Sequence, residues 1–161
     1  TVGEVVTSGA NVMLGYWKQP EATEQALRGG WMHTGDGGYM DEDGYIYIVD
    51  RIKDMIVTGG ENVYSVEVEK VVARHPAVES CAVIGVPDAQ LGERVHAVIV
   101  LAPGKTTTIE EVRDFCKHHI AGYKAPRSIE FVNALPLSGA GKILKRDLRK
   151  RHWSDANRRV H

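Results

Sequence analysis

The chain has 161 residues, 43% apolar and 25% charged, with a formal net charge of −1. Those proportions fit a folded globular protein and exclude an intrinsically disordered one. No apolar run approaches the ~18–20 residues of a membrane span, and the opening TVGEVVTSG lacks the basic and apolar regions of a signal peptide.

The charge is unevenly spread. Residues 1–50 carry 8 acidic and 2 basic side chains, a balance of −6, whereas residues 51–161 carry 13 acidic and 18 basic, a balance of +5. The break falls at Asp50-Arg51 and marks a candidate lobe boundary. Cys81 and Cys116 have no metal-ligand spacing and read as buried free thiols, which suits a reducing compartment. The first residue is not Met and opens what reads as a strand, so a piece of a longer protein is expected.

In chain order, residues 2–8 and 11–17 read as short strands. QPEATEQALRGG reads as a helix, with Pro20 in its first turn and Gly29-Gly30 at its end. MHTGDGGYM and YIYIVD flank a DEDG turn, the clearest hairpin signal in the sequence. Residues 53–58 read as a short strand and GGEN as a loop. SVEVEKVVARHP reads as a helix capped by Ser65 and stopped by Pro76. Residues 78–86 and 94–101 are β-branched and apolar, hence buried strands. TIEEVRDFCKHHIAG reads as a helix with a Thr108/Glu111 capping box and an end at Gly122. Residues 128–133 read as a strand and KILKRDLRKR as a short helix. The fold class is α+β: a short antiparallel β sub-barrel piece, then a small α+β lobe.

Three units could carry chemistry. HTGD, residues 33–36, reads as a turn or as a carboxylate placed to accept two hydroxyl hydrogen bonds. DRIKDMIVTGGENVYSVEVE, residues 50–69, reads as a plain connection or as a glycine loop that lets a ligand approach the backbone. SGAGK, residues 138–142, reads as a solvated loop or as a flexible carrier for a reaching lysine. There is no P-loop and no GxGxxG fingerprint. His118 and His119 are adjacent and share no helix face, so no metal ligand is assigned. The basic run Lys145 to Arg151 reads as a helix that packs through Leu144 and Leu148 and solvates its other side. No nucleic-acid-binding motif accompanies it.

Taken in order over residues 2–150, HTGD, DRIKDMIVTGGENVYSVEVE and YKAPRSIEFVNALPLSGAGKILKRDLR resemble the C-terminal third of the acyl-adenylate-forming enzymes. Those are the acyl-CoA synthetases, peptide-synthetase adenylation domains and luciferases. The GGENVY form is most similar to fatty-acyl- and aryl-CoA ligases. The resemblance implies an ATP-dependent ligase of a carboxylic acid, foremost a fatty acid, with coenzyme A, working through an acyl-adenylate. It implies that Asp36 and Arg51 bind the ATP ribose, that Lys53 is a hinge, and that Lys142 is the catalytic lysine of adenylation. Gly59 and Gly60 would line the CoA tunnel, with Tyr123 and Lys124 beside the CoA nucleotide. The implied domains are 1–50, the end of a large N-terminal domain, 51–53, the hinge, and 54–161, a mobile C-terminal lobe. The phosphate loop, acyl pocket and Mg²⁺ ligands are then expected in the missing N-terminal domain, and this piece alone is expected to be inactive. The alternatives are a peptide-synthetase-type adenylation domain or a non-catalytic module that retains the fold. A cytoplasmic location is the default expectation. A dimer of the piece through an exposed barrel edge would be an artefact of truncation.

Overall fold

The computed structural model describes residues 1–153. It divides into two compact units, Thr1–Lys53 and a second that starts at Asp54. Among the described residues no helix is long and apolar enough to cross a membrane.

The first unit is a three-stranded antiparallel sheet in the order β1-β2-β3. Its strands are β1 (Gly3–Thr7), β2 (Met32–Met40) and β3 (Ile46–Arg51). The DEDG segment closes the β2–β3 hairpin because Asp41 Oδ1 accepts hydrogen bonds from the amides of Asp43 and Tyr45, at 3.1 and 2.9 Å. Gly44 then takes a left-handed φ of 85°, as an Asx-type turn requires. Helix α1 (Pro20–Ala26) carries its proline in the first turn, and a 3-10 turn at Arg28–Gly30 follows. Residues 11–17 are not a strand. Their hydrogen bonds are local: Val12 N donates to Gly9 O, and Tyr16 N donates to Thr23 Oγ1 on α1. Backbone groups satisfied this way do not form a ladder.

The second unit has a five-stranded sheet: the four strands read from the sequence and one more at Glu61–Val63, where the sequence reads as a loop. It contains β4 (Ile56–Thr58), β5 (Glu61–Val63), β6 (Val78–Asp88), β7 (Gly92–Leu101) and β8 (Ser128–Phe131). The order is β5-β4-β7-β6, and β8 runs parallel to β7. The expected 53–58 strand begins as a 3-10 turn at Ile52–Asp54 and becomes extended only at Ile56.

Alternation along β6 and β7 sends side chains to both faces. Val83, Val95, Ala97 and Ile99 join the main core with Val68 and Val72 of helix α2 (Ser65–Val72) and Val112 and Cys116 of helix α3 (Ile109–His119). Ala82, Ile84, Val86 and Val98 face the other way and enclose Leu148 of helix α4 (Lys145–Lys150). The sheet is therefore covered on both sides. Helix α3 has the expected capping box, with Thr108 and Glu111 satisfying each other's backbone amides. It ends at Ile120 rather than Gly122, because Ile120 is already extended. Cys81 and Cys116 are free thiols. Burial pushes them up to about 12 and about 11, so neither is a nucleophile at neutral pH.

Candidate functional site

The expected residues fall into two groups, one in each unit. In the first, HTGD is not a turn but lies inside β2, where Gly35 adopts a φ of 73°. Asp36 sits opposite Arg51 across the β2–β3 ladder. Arg51 Nε is 3.3 Å from Asp36 Oδ1, and both side chains are well exposed. The pair presents an acceptor and a fork of donors side by side, a combination suited to a polyhydroxylated, anionic ligand.

Glu4 organises this strand, and the sequence reading missed it. One of its carboxylate oxygens meets His33 Nδ1 at 2.7 Å and Arg28 Nη2 at 2.9 Å, and the other accepts from the Gly35 amide at 3.2 Å. The hydrogen bond with His33 leads the interactions that hold the Glu4 carboxyl below its usual value, and the Gly35 amide and Arg28 act in the same direction. Thr34 Oγ1 completes the cradle by donating to Val5 O and accepting from the Asp36 amide. His33 and Thr34 thus shape the backbone that carries Asp36. The only sequence signal for Glu4 was an acidic residue in an otherwise apolar strand.

Lys53 is the middle residue of the 3-10 turn and the last of the first unit. The next residue is fixed: Asp54 Oδ1 accepts from Arg149 Nη2 at 2.7 Å, with both side chains nearly buried. Gly59 and Gly60 form the two-residue turn between β4 and β5, with φ of 59° and 85°. Left-handed φ at both positions is the primed turn that suits a hairpin, so GGEN is the start of a hairpin and not an open loop. The Gly59 amide also donates to Leu91 O, and a Cβ at Gly59 would lie 3.3 Å from the Leu91 side chain.

SGAGK forms a closed turn. Ser138 N donates to Lys142 O, Lys142 N donates to Ser138 Oγ, and Leu137 pairs with Ile143. Lys142 is exposed at the end of this turn, and α4 follows at once. Leu148 packs and Arg146 and Lys150 are exposed, as expected of that helix, but Lys145 and Arg149 are not on its solvated side. Lys145 Nζ reaches Ser65 Oγ and Glu69 Oε1, each at 2.7 Å, and Glu69 Oε1 also accepts from the Val83 amide. Arg149 is 6% exposed through its pair with Asp54. Ser65 is therefore not the cap of α2. It occupies the first helical position, fully buried, and Tyr64 holds the N-cap position without a side-chain capping bond. The partners of Lys145 and Arg149 lie far away in sequence, which is why the basic run read as solvated.

Tyr123 is exposed, and Lys124 Nζ binds both Glu67 oxygens at 2.7 and 2.8 Å. Hydrogen bonding to Glu67 raises the Lys124 ammonium above its usual range.

Residues 67–142 match the AMP-binding enzyme C-terminal domain. The chain belongs to the adenylate-forming superfamily. It is 52% identical over 149 residues to a feruloyl-CoA synthase of an Amycolatopsis species, covering 92% of this chain and 30% of that protein. It is 46% identical over 160 residues to the fatty acid–acyl-carrier-protein ligase ScoC of Streptomyces coeruleorubidus, covering 99% of this chain and 31% of that protein. Among solved structures it resembles ATP-bound MatB from Rhodopseudomonas palustris, with a TM-score of 0.87, 40% identity, and coverage of 94% of this chain and 30% of that one. The chain spans about a third of the length of these adenylate-forming relatives.

Proposed function

We propose that this chain is the nucleotide-edge and mobile-lobe portion of an AMP-forming acid–thiol ligase. The enzyme joins a carboxylic acid, foremost a fatty acid, to coenzyme A through an acyl-adenylate. The observation that carries the reading is Lys142, exposed on a closed turn whose following helix is anchored by two ion pairs.

Adenylation brings a carboxylate against the α-phosphate of ATP, two anions that repel. A lysine held in place lowers that repulsion and stabilises charge as the acyl–phosphate bond forms and pyrophosphate leaves. Asp36 accepts the ribose hydroxyls while Arg51 orients it and adds donors. In the second step the thiol attacks the acyl carbon and AMP departs. That step needs no cation at the phosphate, so rotation at Lys53 withdraws Lys142 and brings forward the Gly59-Gly60 turn, whose lack of Cβ atoms leaves room for a slender thiol arm. Tyr123 and Lys124 lie on the same lobe for the CoA nucleotide, with Lys124 partly neutralised by Glu67.

The Mg²⁺ that accompanies ATP prefers oxygen ligands. The carboxylate of the nucleotide edge, Asp36, is paired with Arg51, so the ion's ligands belong to the rest of the protein and to ATP. Exposed Met40, Tyr45, Ile46 and Ile48 on the first unit support its being the margin of a larger domain. Similarity to ScoC over nearly the whole chain favours one second reading, in which a carrier-protein thiol replaces CoA.

The test compares the full-length parent with the 161-residue chain. The parent is expected to convert ATP, a fatty acid and CoA to acyl-CoA, AMP and pyrophosphate, and the chain alone is expected to do nothing. Turnover by the chain alone, or a parent inactive with every acid and both thiol carriers, would overturn the proposal.

A further inference from the structure

Three side chains distant in sequence meet on the α4 side of the second unit's sheet. His96 on β7, Glu130 on β8 and His152 just past α4 each offer one ligand atom, and these atoms lie within 4.8 Å of one another. His96 is 5% exposed. Its Nδ1 is 2.8 Å from Ser128 Oγ, while its Nε2 is buried without a hydrogen-bond partner among the described residues. Buried polar atoms are nearly always satisfied, and leaving one unpaired is unfavourable. Nε2 is 3.8 Å from Glu130 Oε2. That is too long for a hydrogen bond, yet close to the roughly 3.3–3.5 Å separating two ligands with ~2.0–2.2 Å bonds to one tetrahedral ion.

We infer that His96, Glu130 and His152 bind a divalent transition-metal ion of the zinc class. Two imidazoles and one carboxylate are a nitrogen-rich set that suits zinc and its neighbours and not Mg²⁺ or Ca²⁺. The outer contacts agree. Ser128 holds the far ring nitrogen of His96, which orients Nε2 inward. Arg151 Nη1 lies 3.5 Å from Glu130 Oε1 and leaves Oε2 for the ion. His152 is exposed and stands 4.9 Å from His96, ring centre to ring centre, so it can turn to complete the set. The site reverses the sequence reading, which assigned no metal ligand. Its three residues have no motif spacing and converge only through the β7–β8 parallel pair and the return of the chain past α4. A bound ion would clasp the end of α4 to the sheet, beside the bond from Trp153 Nε1 to Gly85 O.

The test is a zinc chloride titration of the untagged 161-residue chain, read by calorimetry and by the melting temperature. One ion per chain is expected, with a rise in melting temperature. His152→Ala and Glu130→Gln change exposed or half-exposed side chains and so spare the fold; each should weaken binding at least tenfold and abolish the rise. The double variant His118→Ala/His119→Ala should bind as the parent does. Absence of stoichiometric binding, an affinity unchanged by His152→Ala or Glu130→Gln, or loss of binding in the His118/His119 variant would each overturn the inference.

Discussion

Arg149→Met should destabilise the second unit severely. The Arg149 and Asp54 side chains are 7% and 12% exposed and meet at 2.7 Å. Removing one partner leaves the other charge buried and uncompensated, which costs about 3–5 kcal/mol. A unit of this size is worth about 5–15 kcal/mol in total, so most of a modest stability margin is lost. At roughly 4–8 °C per kcal/mol for a small domain, the melting temperature should fall by at least ~12 °C. Asp54→Asn should cost somewhat less, because the amide keeps one hydrogen bond to the guanidinium. Replacing both, as Arg149→Met with Asp54→Leu, should recover much of the loss, since well-packed apolar substitutes for a buried pair are close to neutral. The assay is urea and thermal unfolding followed by circular dichroism, arranged as a double-mutant cycle. A cost for Arg149→Met below about 0.5 kcal/mol, the level of a surface ion pair, would refute the view that this pair anchors α4 and the first residue after Lys53.

Gly60→Ala should cost about 1–2 kcal/mol, because a Cβ in the left-handed region is strained even where space is open. Gly59→Ala should cost more, since Leu91 must also give way; equal stability of both variants with the parent, by urea unfolding, would show that the turn is not the primed type. Glu4 has its carboxyl held below its usual value, so it contributes stability above the unfolded value of 4.5, and that contribution is lost as pH falls through the lower folded value. The stability difference between parent and Glu4→Gln should therefore shrink as pH falls below about 4.5; a difference that persists undiminished in strong acid would contradict the Glu4–His33–Gly35 arrangement.

Features encoded locally were legible in the sequence. The DEDG hairpin, the Thr108/Glu111 capping box and the long apolar strands of β6 and β7 each depend on neighbours within a few residues. What was not legible depends on contacts across the chain. Ser65 looked like a cap because nothing nearby reveals Lys145, 80 residues away, as its partner. Lys145 and Arg149 looked solvated because their acids lie on α2 and just after Lys53. Residues 11–17 had strand composition, yet Thr23 and Gly9 satisfy their backbone first. A three-residue strand such as β5 is too short for periodicity to reveal, and it was read as a loop. Asp36, Arg51 and Lys142 were singled out through family resemblance. The cradle that holds Asp36, centred on Glu4, joins residues that lie 29 and 31 positions apart and so left no local signal.

On the proposed mechanism, Lys142 acts in the first half-reaction and is withdrawn for the second. The most direct measurement takes the full-length parent and its Lys142→Ala variant through each half separately, using pyrophosphate exchange for adenylation and preformed acyl-adenylate plus CoA for thioester formation. Loss of an oxyanion-type donor costs about 2.7–4 kcal/mol, so exchange should fall on the order of 10²–10³-fold. Thioester formation should remain within a few-fold of the parent. Equal retention of both activities, or equal loss of both, would contradict a lysine that serves adenylation alone.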